Sequence, residues 1–224
     1  MNETHEFTAL TSNRETMYRF LSRIYRIEVD APLLQYLPEM GFPTECDDPE
    51  LGEGYSMMTA CLRDLGSDAL TDLAVDYARI FLGAGVFEGV VASPYESVYT
   101  SEERLIMQES RDKVASVYKD NELKLKNTID IPEDHIALEL EFMAHLCREA
   151  MKLDGDRERV LRLLAEQKDF IERHIMNWVP AFCADIEKCA STDFYRAVAK
   201  ITRGFINIDL EILEDILKNY ESPQ

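Results

Sequence analysis

The feature that most constrains this chain is the spacing of its apolar residues, which follows a helical period almost from end to end. Steps of three and four link Met17, Phe20, Leu21 and Ile24, then Leu70, Leu73, Tyr77 and Phe81. A further set falls at Val160, Leu164, Ile171 and Trp178, spaced by four and then by two full double turns of seven, and the longest, again in steps of three and four, at Phe194, Val198, Ile201, Phe205, Ile208 and Ile212. The last set places one continuous apolar stripe along a long helix. No segment alternates with the period of two that a half-buried strand needs. The expected fold class is therefore all-α, as a single globular helical bundle-like domain or as two helical subdomains joined by a hinge. With 224 residues, 46% of them hydrophobic, the chain can bury a core of either kind.

Breaks in the pattern suggest the organisation. The polar stretch Lys119 to Asp130 separates the front half from the helix expected to open at Pro132, giving subdomains over 1–118 and 132–224 with a hinge over 119–131. Between Gly83 and Thr100 the chain carries Gly83, Gly85, Gly89 and Pro94 together with Phe87, Tyr95 and Tyr99, which reads as a long aromatic-bearing loop. Such a loop either plugs the core or lines a groove. Thr100 with Glu103 fits a capping box, Asp130 or Ile131 is placed to cap the helix near Pro132, and Pro180 opens another helix after a bend at Val179.

Charge narrows the partners. Acidic residues number 43 against 24 basic ones, a net charge of −19, so nucleic acid and anionic membranes are disfavoured and a basic partner is favoured. Five cysteines with no C-x-x-C pair form neither a disulfide framework nor a zinc cluster, and read as free thiols of a reducing compartment. The first ten residues lack the basic and apolar segments of a secretion signal, and no stretch reaches the ~20 apolar residues of a membrane span. A cytoplasmic location without stable membrane insertion is expected.

Catalytic signatures are absent from the sequence. The glycine run G-A-G-V-F-E-G follows a helix, and its spacing does not fit the dinucleotide fingerprint. No Glu-x-x-His occurs, so a di-iron bundle lacks its ligand pairs, and no G-x-S-x-G nucleophile elbow is present. A helical-bundle carboxylate metalloenzyme built on Glu139, Glu141, His145 and Glu149 remains as an alternative, as does an acidic adaptor for a basic protein with no export role.

The helix from Pro132 carries apolar residues over more than half its circumference, from Ile136 and Leu138 to Leu146 and Cys147, so it should be central. Glu139 lies inside that arc with His135 one turn before it. Burial of an unpaired carboxylate is costly, so the two either pair with each other or receive a ligand. Glu133 and Asp134 fall in the first turn, where the helix dipole favours anions. His174 falls on the stripe leading to Trp178 and reads as a hydrogen-bonded core histidine.

Three segments together resemble the TorD/DmsD family of redox-enzyme-maturation chaperones. Tyr77-Ala-Arg-Ile-Phe81-Leu-Gly83-Ala-Gly85 is similar to the family's helix end running into a glycine turn. Ser93-Pro94-Tyr95-Glu96-Ser97-Val98-Tyr99 is similar to its Pro-aromatic loop, and Pro132-Glu133-Asp134-His135 to its Pro-x-Asp-His helix start. The element His174-x-x-x-Trp178-x-Pro180-x-Phe182 fits the family's C-terminal half. Tyr95 stands where the family often has tryptophan, and Glu96 where it often has glycine, a change that bears on which leader is accepted.

A hinge over 119–131 that would permit subdomain exchange leaves monomer and homodimer both open. The resemblance implies a helical, non-enzymatic protein without a cofactor of its own. Its function would be to bind the twin-arginine leader and the catalytic subunit of a molybdenum-cofactor enzyme, delaying export until the cofactor is inserted. Contacts carried over by the resemblance fall on Tyr77, Phe81, Pro94, Tyr95, Ser97, Tyr99, Pro132, Asp134 and His135. The residues themselves add Glu96 and Glu139 as candidate arginine partners, because guanidinium pairs with carboxylate in a bidentate fork.

Overall fold

A computed structural model describes residues 3–43, 46–85, 89, 91–124, 131–153 and 156–221, with the side chains of residues 3, 4, 220 and 221 left aside. The described residues are helical, with no strand among them. In chain order they form α1 (Glu3–Arg26), α2 (Ala31–Tyr36), α3 (Pro49–Arg63), α4 (Ala69–Leu82), α5 (Glu96–Thr100), α6 (Glu109–Asp120), α7 (Ile136–Lys152), α8 (Arg157–Phe170), α9 (Val179–Cys189) and α10 (Asp193–Glu221). A 3₁₀ turn follows α2 over Leu37–Met40, and a π-helical turn follows α8 over Ile171–Ile175. Contacts group the chain into two compact units, each assembled from separate stretches. One unit takes residues 1–23, 95–178 and 209–224, and the other takes 24–94 and 179–208. The division expected at 119–131 is of another kind, and residues 125–130 lie outside the described set.

In the first unit α7 is the central element. Ile136, Leu138, Leu140, Phe142, Met143, Leu146 and Cys147 are all buried, as the width of its apolar arc predicts. At about 1.5–3 kcal/mol for each large side chain removed from water, this helix contributes substantially to the unit's stability. Phe142 stacks between Tyr118 of α6 and Phe170 of α8, with ring centroids 5.1 Å and 4.7 Å away. A fully buried ion pair ties the unit's helices together. Arg14 of α1 donates from Nε and Nη2 to the Asp209 carboxylate of α10 at 2.5 and 2.9 Å, Tyr18 donates to Asp209 at 2.6 Å, and Arg14 reaches Gln167 of α8 at 2.6 Å. The sequence stripe through Ile208 and Ile212 is displaced accordingly. Asp209 and Leu213 are buried while Ile208 and Ile212 are half-buried, because the Arg14 partner must face inward.

In the second unit α3 and the front of α10 meet at close range. A methyl group on Gly204 would lie 2.7 Å from the Leu51 backbone nitrogen, and one on Gly54 would lie 2.8 Å from that of Ile201, so only glycine permits the approach. Asp76 of α4 caps the start of α10 from outside that helix. It accepts from the Ser191 and Thr192 amides at 3.0 and 2.8 Å and from the Thr192 hydroxyl at 2.6 Å, while Arg79 donates to it at 2.6 Å. The buried face of α4 is Ala69, Leu73, Asp76, Tyr77, Ile80 and Phe81, so Leu70, expected on the stripe, turns outward.

Three local expectations are corrected. The segment read as loop to Thr100 ends in α5, which begins directly after Tyr95. Thr100 closes that helix instead of capping another, and its hydroxyl bonds back to the Glu96 carbonyl at 2.9 Å. The helix expected from Pro132 starts at Ile136, because His135 is its N-cap, with Nδ1 accepting from the Ala137 amide at 3.1 Å. Pro180 does sit in the first turn of α9, where its missing N–H leaves no bond unmade.

Candidate functional site

Eight of the residues predicted for the site belong to the first unit: Tyr95, Glu96, Ser97, Tyr99, Pro132, Asp134, His135 and Glu139. Two short segments bring them together. Tyr95 and His135 form an isolated antiparallel bridge with their rings edge to face, 5.0 Å between centroids. The Glu96 amide donates to the Asp134 carbonyl at 3.0 Å and the Ser97 amide to Asp134 Oδ2 at 2.9 Å. Asp134 thus serves as the N-cap of α5 from across the chain, where Tyr95 has no oxygen positioned to do so. This explains why Asp134 lies outside the first turn of α7, where the sequence pattern placed it. Glu133 instead holds Arg111 of α6 in a bidentate pair.

Behind α5 lies a group of buried polar side chains. Glu96 is 2% exposed, Glu139 and Asp134 are fully buried, and His174 is 7% exposed. The Glu96 carboxyl meets Nδ1 of His174 at 3.2 Å and accepts from Asn177 Nδ2 at 2.8 Å. Glu139 accepts from the Trp178 indole at 3.2 Å, and Trp178 stacks on Tyr99 at 5.5 Å. The π-helical turn Ile171–Ile175 carries His174 and leads straight to Asn177 and Trp178, and the extra residue of such a turn shifts the side chains that follow.

This group is short of donors. No amide, hydroxyl or cationic donor among the described residues reaches Glu139 Oε1 or Asp134 Oδ1. Glu96 is an acidic neighbour of Glu139. Burial, followed by the charges of Glu96 and Asp134, holds the Glu139 carboxyl well above the usual carboxylate range, against the opposing Trp178 bond. Burial also raises Asp134, although the Ser97 bonds pull it back, and it raises the Tyr95 hydroxyl.

Glu96 and His174 open onto a groove of about 970 Å³ whose rim carries Glu102, Glu103, Glu109, Lys113, Arg173 and Asn177. Lys113 is paired with Glu109 at 2.9 Å and Arg173 with Asp169 at 2.6 Å. Glu102 and Glu103 are exposed and have no ion-pair partner among the described residues. The groove therefore presents net negative charge to a ligand.

The remaining predicted residues belong to the second unit. Pro94 is buried there, and Tyr77 and Phe81 are 8% and 5% exposed within an aromatic cluster. Phe81 lies 5.8 Å from Tyr25 and Tyr195 and 6.0 Å from Phe182, and the Tyr77 hydroxyl donates to the Tyr25 carbonyl at 3.0 Å. Their observed work is packing. Phe87 falls outside the described residues. The metal set Glu139, Glu141, His145 and Glu149 does not share a face, since Glu139 is buried and Glu141 exposed, and no cluster of metal-ligating side chains forms among the described residues. Sequence reasoning did not single out Asn177 or the Glu102–Glu103 rim. The H-x-x-N-W spacing of His174, Asn177 and Trp178, at i, i+3 and i+4, is the signal that could have found Asn177; the rim carries none.

Known proteins can now be set beside this geometry. A family model described as "Nitrate reductase delta subunit" matches residues 44–184. The chain is 28% identical over 232 aligned residues to the Chaperone protein TorD of Shewanella pealeana, covering 96% of each. It is 30% identical over 212 residues to that of Shewanella piezotolerans, covering 89% of this chain and 92% of the relative. A third relative, the Chaperone protein TorD of Vibrio cholerae, is 32% identical over 154 residues, 67% of this chain and 66% of its own. The family suggested by three ordered motifs is thus the family matched along the chain, and the protein belongs to the TorD family of chaperones.

Proposed function

We propose that this protein is a maturation chaperone, not an enzyme, that binds the twin-arginine signal peptide of a molybdenum-cofactor oxidoreductase and holds the apoenzyme in the cytoplasm until its cofactor is inserted. The observation that carries the reading is the acidic groove of the first unit. Its carboxylates outnumber its free cations, and Glu96 stands at its wall with the buried Glu139 carboxyl behind it. A guanidinium brings positive charge and a fork of N–H donors that carboxylates accept. Glu96, backed by Glu139, and the Glu102–Glu103 rim take the arginines; Tyr95, Ser97, Tyr99, Pro132, Asp134 and His135 hold α5 in place. Tyr77, Phe81 and Pro94 contribute by packing. No described helix is long and apolar enough to cross a membrane, which agrees with a chaperone that meets its client before export.

Calorimetric titration of twin-arginine leaders encoded near this gene tests the reading. Micromolar or tighter binding that is lost when both arginines become alanine is the expected result. Equal affinity for the arginine-free peptides removes the basis of the proposal.

A further inference from the structure

The loop between α5 and α6 has an unusual surface. Leu105, Ile106 and Met107 are consecutive and about half exposed, at 55%, 49% and 54%. Single exposed apolar residues are ordinary, but three in a row on a chain this polar mark a contact surface. The loop is also held in shape. Arg104 and Met107 sit at φ of +52° and +62°, a left-handed backbone that side-chain-bearing residues seldom adopt and that persists only where surrounding structure imposes it. The restraints are visible: the Ser101 amide bonds to the Ser97 carbonyl at 3.1 Å, the Gln108 amide to Ser97 Oγ at 3.2 Å, the Gln108 side chain to the Ile106 carbonyl at 3.1 Å, and Thr100 to Ser110 at 2.7 Å. Ser97, fully buried in α5, thereby fixes both ends of the loop.

The residues flanking the apolar triplet, Glu102, Glu103, Gln108 and Glu109, line the acidic groove. Charge and apolar surface are therefore adjacent, on one preformed segment. A second copy of the chain is a poor occupant, because two acidic rims on molecules of net charge −19 repel each other. A peptide with a basic end followed directly by an apolar stretch matches both parts in order. We infer that Leu105, Ile106 and Met107 form the docking platform for the apolar segment of the peptide whose cationic end occupies the groove. This rests on the signal-peptide reading and adds to it the element that senses hydrophobicity.

Two synthetic peptides separate the inference from that reading. Both begin with two adjacent arginines; one continues with a Leu/Ala stretch of about 12 residues and the other with Ser/Gly of the same length. Each is titrated into the wild-type chain, into Ile106→Ser, and into the triple variant Leu105→Ser, Ile106→Ser, Met107→Ser. The wild type should bind the Leu/Ala peptide at least tenfold more tightly than the Ser/Gly peptide. The triple variant should bind both alike, at the wild-type affinity for Ser/Gly and with an unchanged melting temperature, and Ile106→Ser should fall between. A triple variant that keeps the wild-type discrimination overturns the platform while leaving the signal-peptide reading intact. A wild type that binds neither peptide overturns both. If sedimentation shows the triplet to be required for self-association while discrimination is unchanged, a second copy is the occupant and the inference fails.

Discussion

Each unit of this protein buries a carboxylate against a helix terminus or core, and the two are treated in opposite ways. Asp76 in the second unit is surrounded by donors: two backbone amides, a threonine hydroxyl and a guanidinium. Burial alone would raise its pKa, but those bonds outweigh it and hold the group below the ordinary carboxylate range. Glu139 in the first unit has one indole donor and two acidic neighbours, and its carboxyl is held well above that range. A carboxylate that exists to hold helices is satisfied completely. One left short of donors beside an acidic groove is poised for something that is not part of the fold.

Asp76→Ala provides the largest expected break in that comparison. It strips the cap from α10 and leaves the Arg79 guanidinium without its partner, so urea unfolding should show a loss of about 2–4 kcal/mol. Asp134→Ala comes next. It removes the cap of α5 only, for about 1–2 kcal/mol, and should also weaken peptide binding because α5 carries Glu96. Glu139→Gln should act in the opposite direction and raise stability at neutral pH, because the amide needs no proton on folding where the raised carboxyl does.

The pH dependence sharpens the contrast. The contribution of Asp76 is present above the ordinary carboxylate range and is lost as pH falls through its lowered folded value, so stability rises with pH there. Glu139 binds its proton more tightly folded than unfolded. Its contribution is therefore full at acid pH and is lost as pH rises from the ordinary carboxylate range toward its raised folded value. Chemical melts across pH should show Asp76→Asn flattening the acid limb and Glu139→Gln removing the decline on the upper limb. The smallest effect is expected from Glu102→Gln with Glu103→Gln. Both residues are exposed, so stability should not change, while affinity for an arginine peptide drops several-fold and its salt dependence becomes shallower.

Much of the fold was legible in the sequence because helical periodicity is a property of every turn. α7 was recognisable as the central helix from the width of its apolar arc, and the start of α9 from Pro180. Helix starts that depend on distant partners were not. The cap of α5 is Asp134, 37 positions away, and the cap of α10 is Asp76, more than a hundred positions away, so local capping patterns at Thr100 and Pro132 misled. The stripe of α10 failed at Asp209 for the same reason, since its partner Arg14 lies at the other end of the chain. The segments 95–99 and 132–139, expected to share a site, do meet. Glu139 was recognised as anomalous, but its indole partner Trp178 and its acidic neighbour Glu96 come from other elements, and pairwise spacing within α7 pointed to His135 instead.

The central claim is that the peptide binds at the acidic groove of the first unit and not at the aromatic cluster of the second. Backbone hydrogen exchange with and without a saturating twin-arginine leader tests it most directly. Slowed exchange over Glu96 to Ser110 and Arg173 to Trp178, with α4 unchanged, is the predicted result. Protection confined to α4 around Tyr77 and Phe81, with the groove residues exchanging as before, would contradict it.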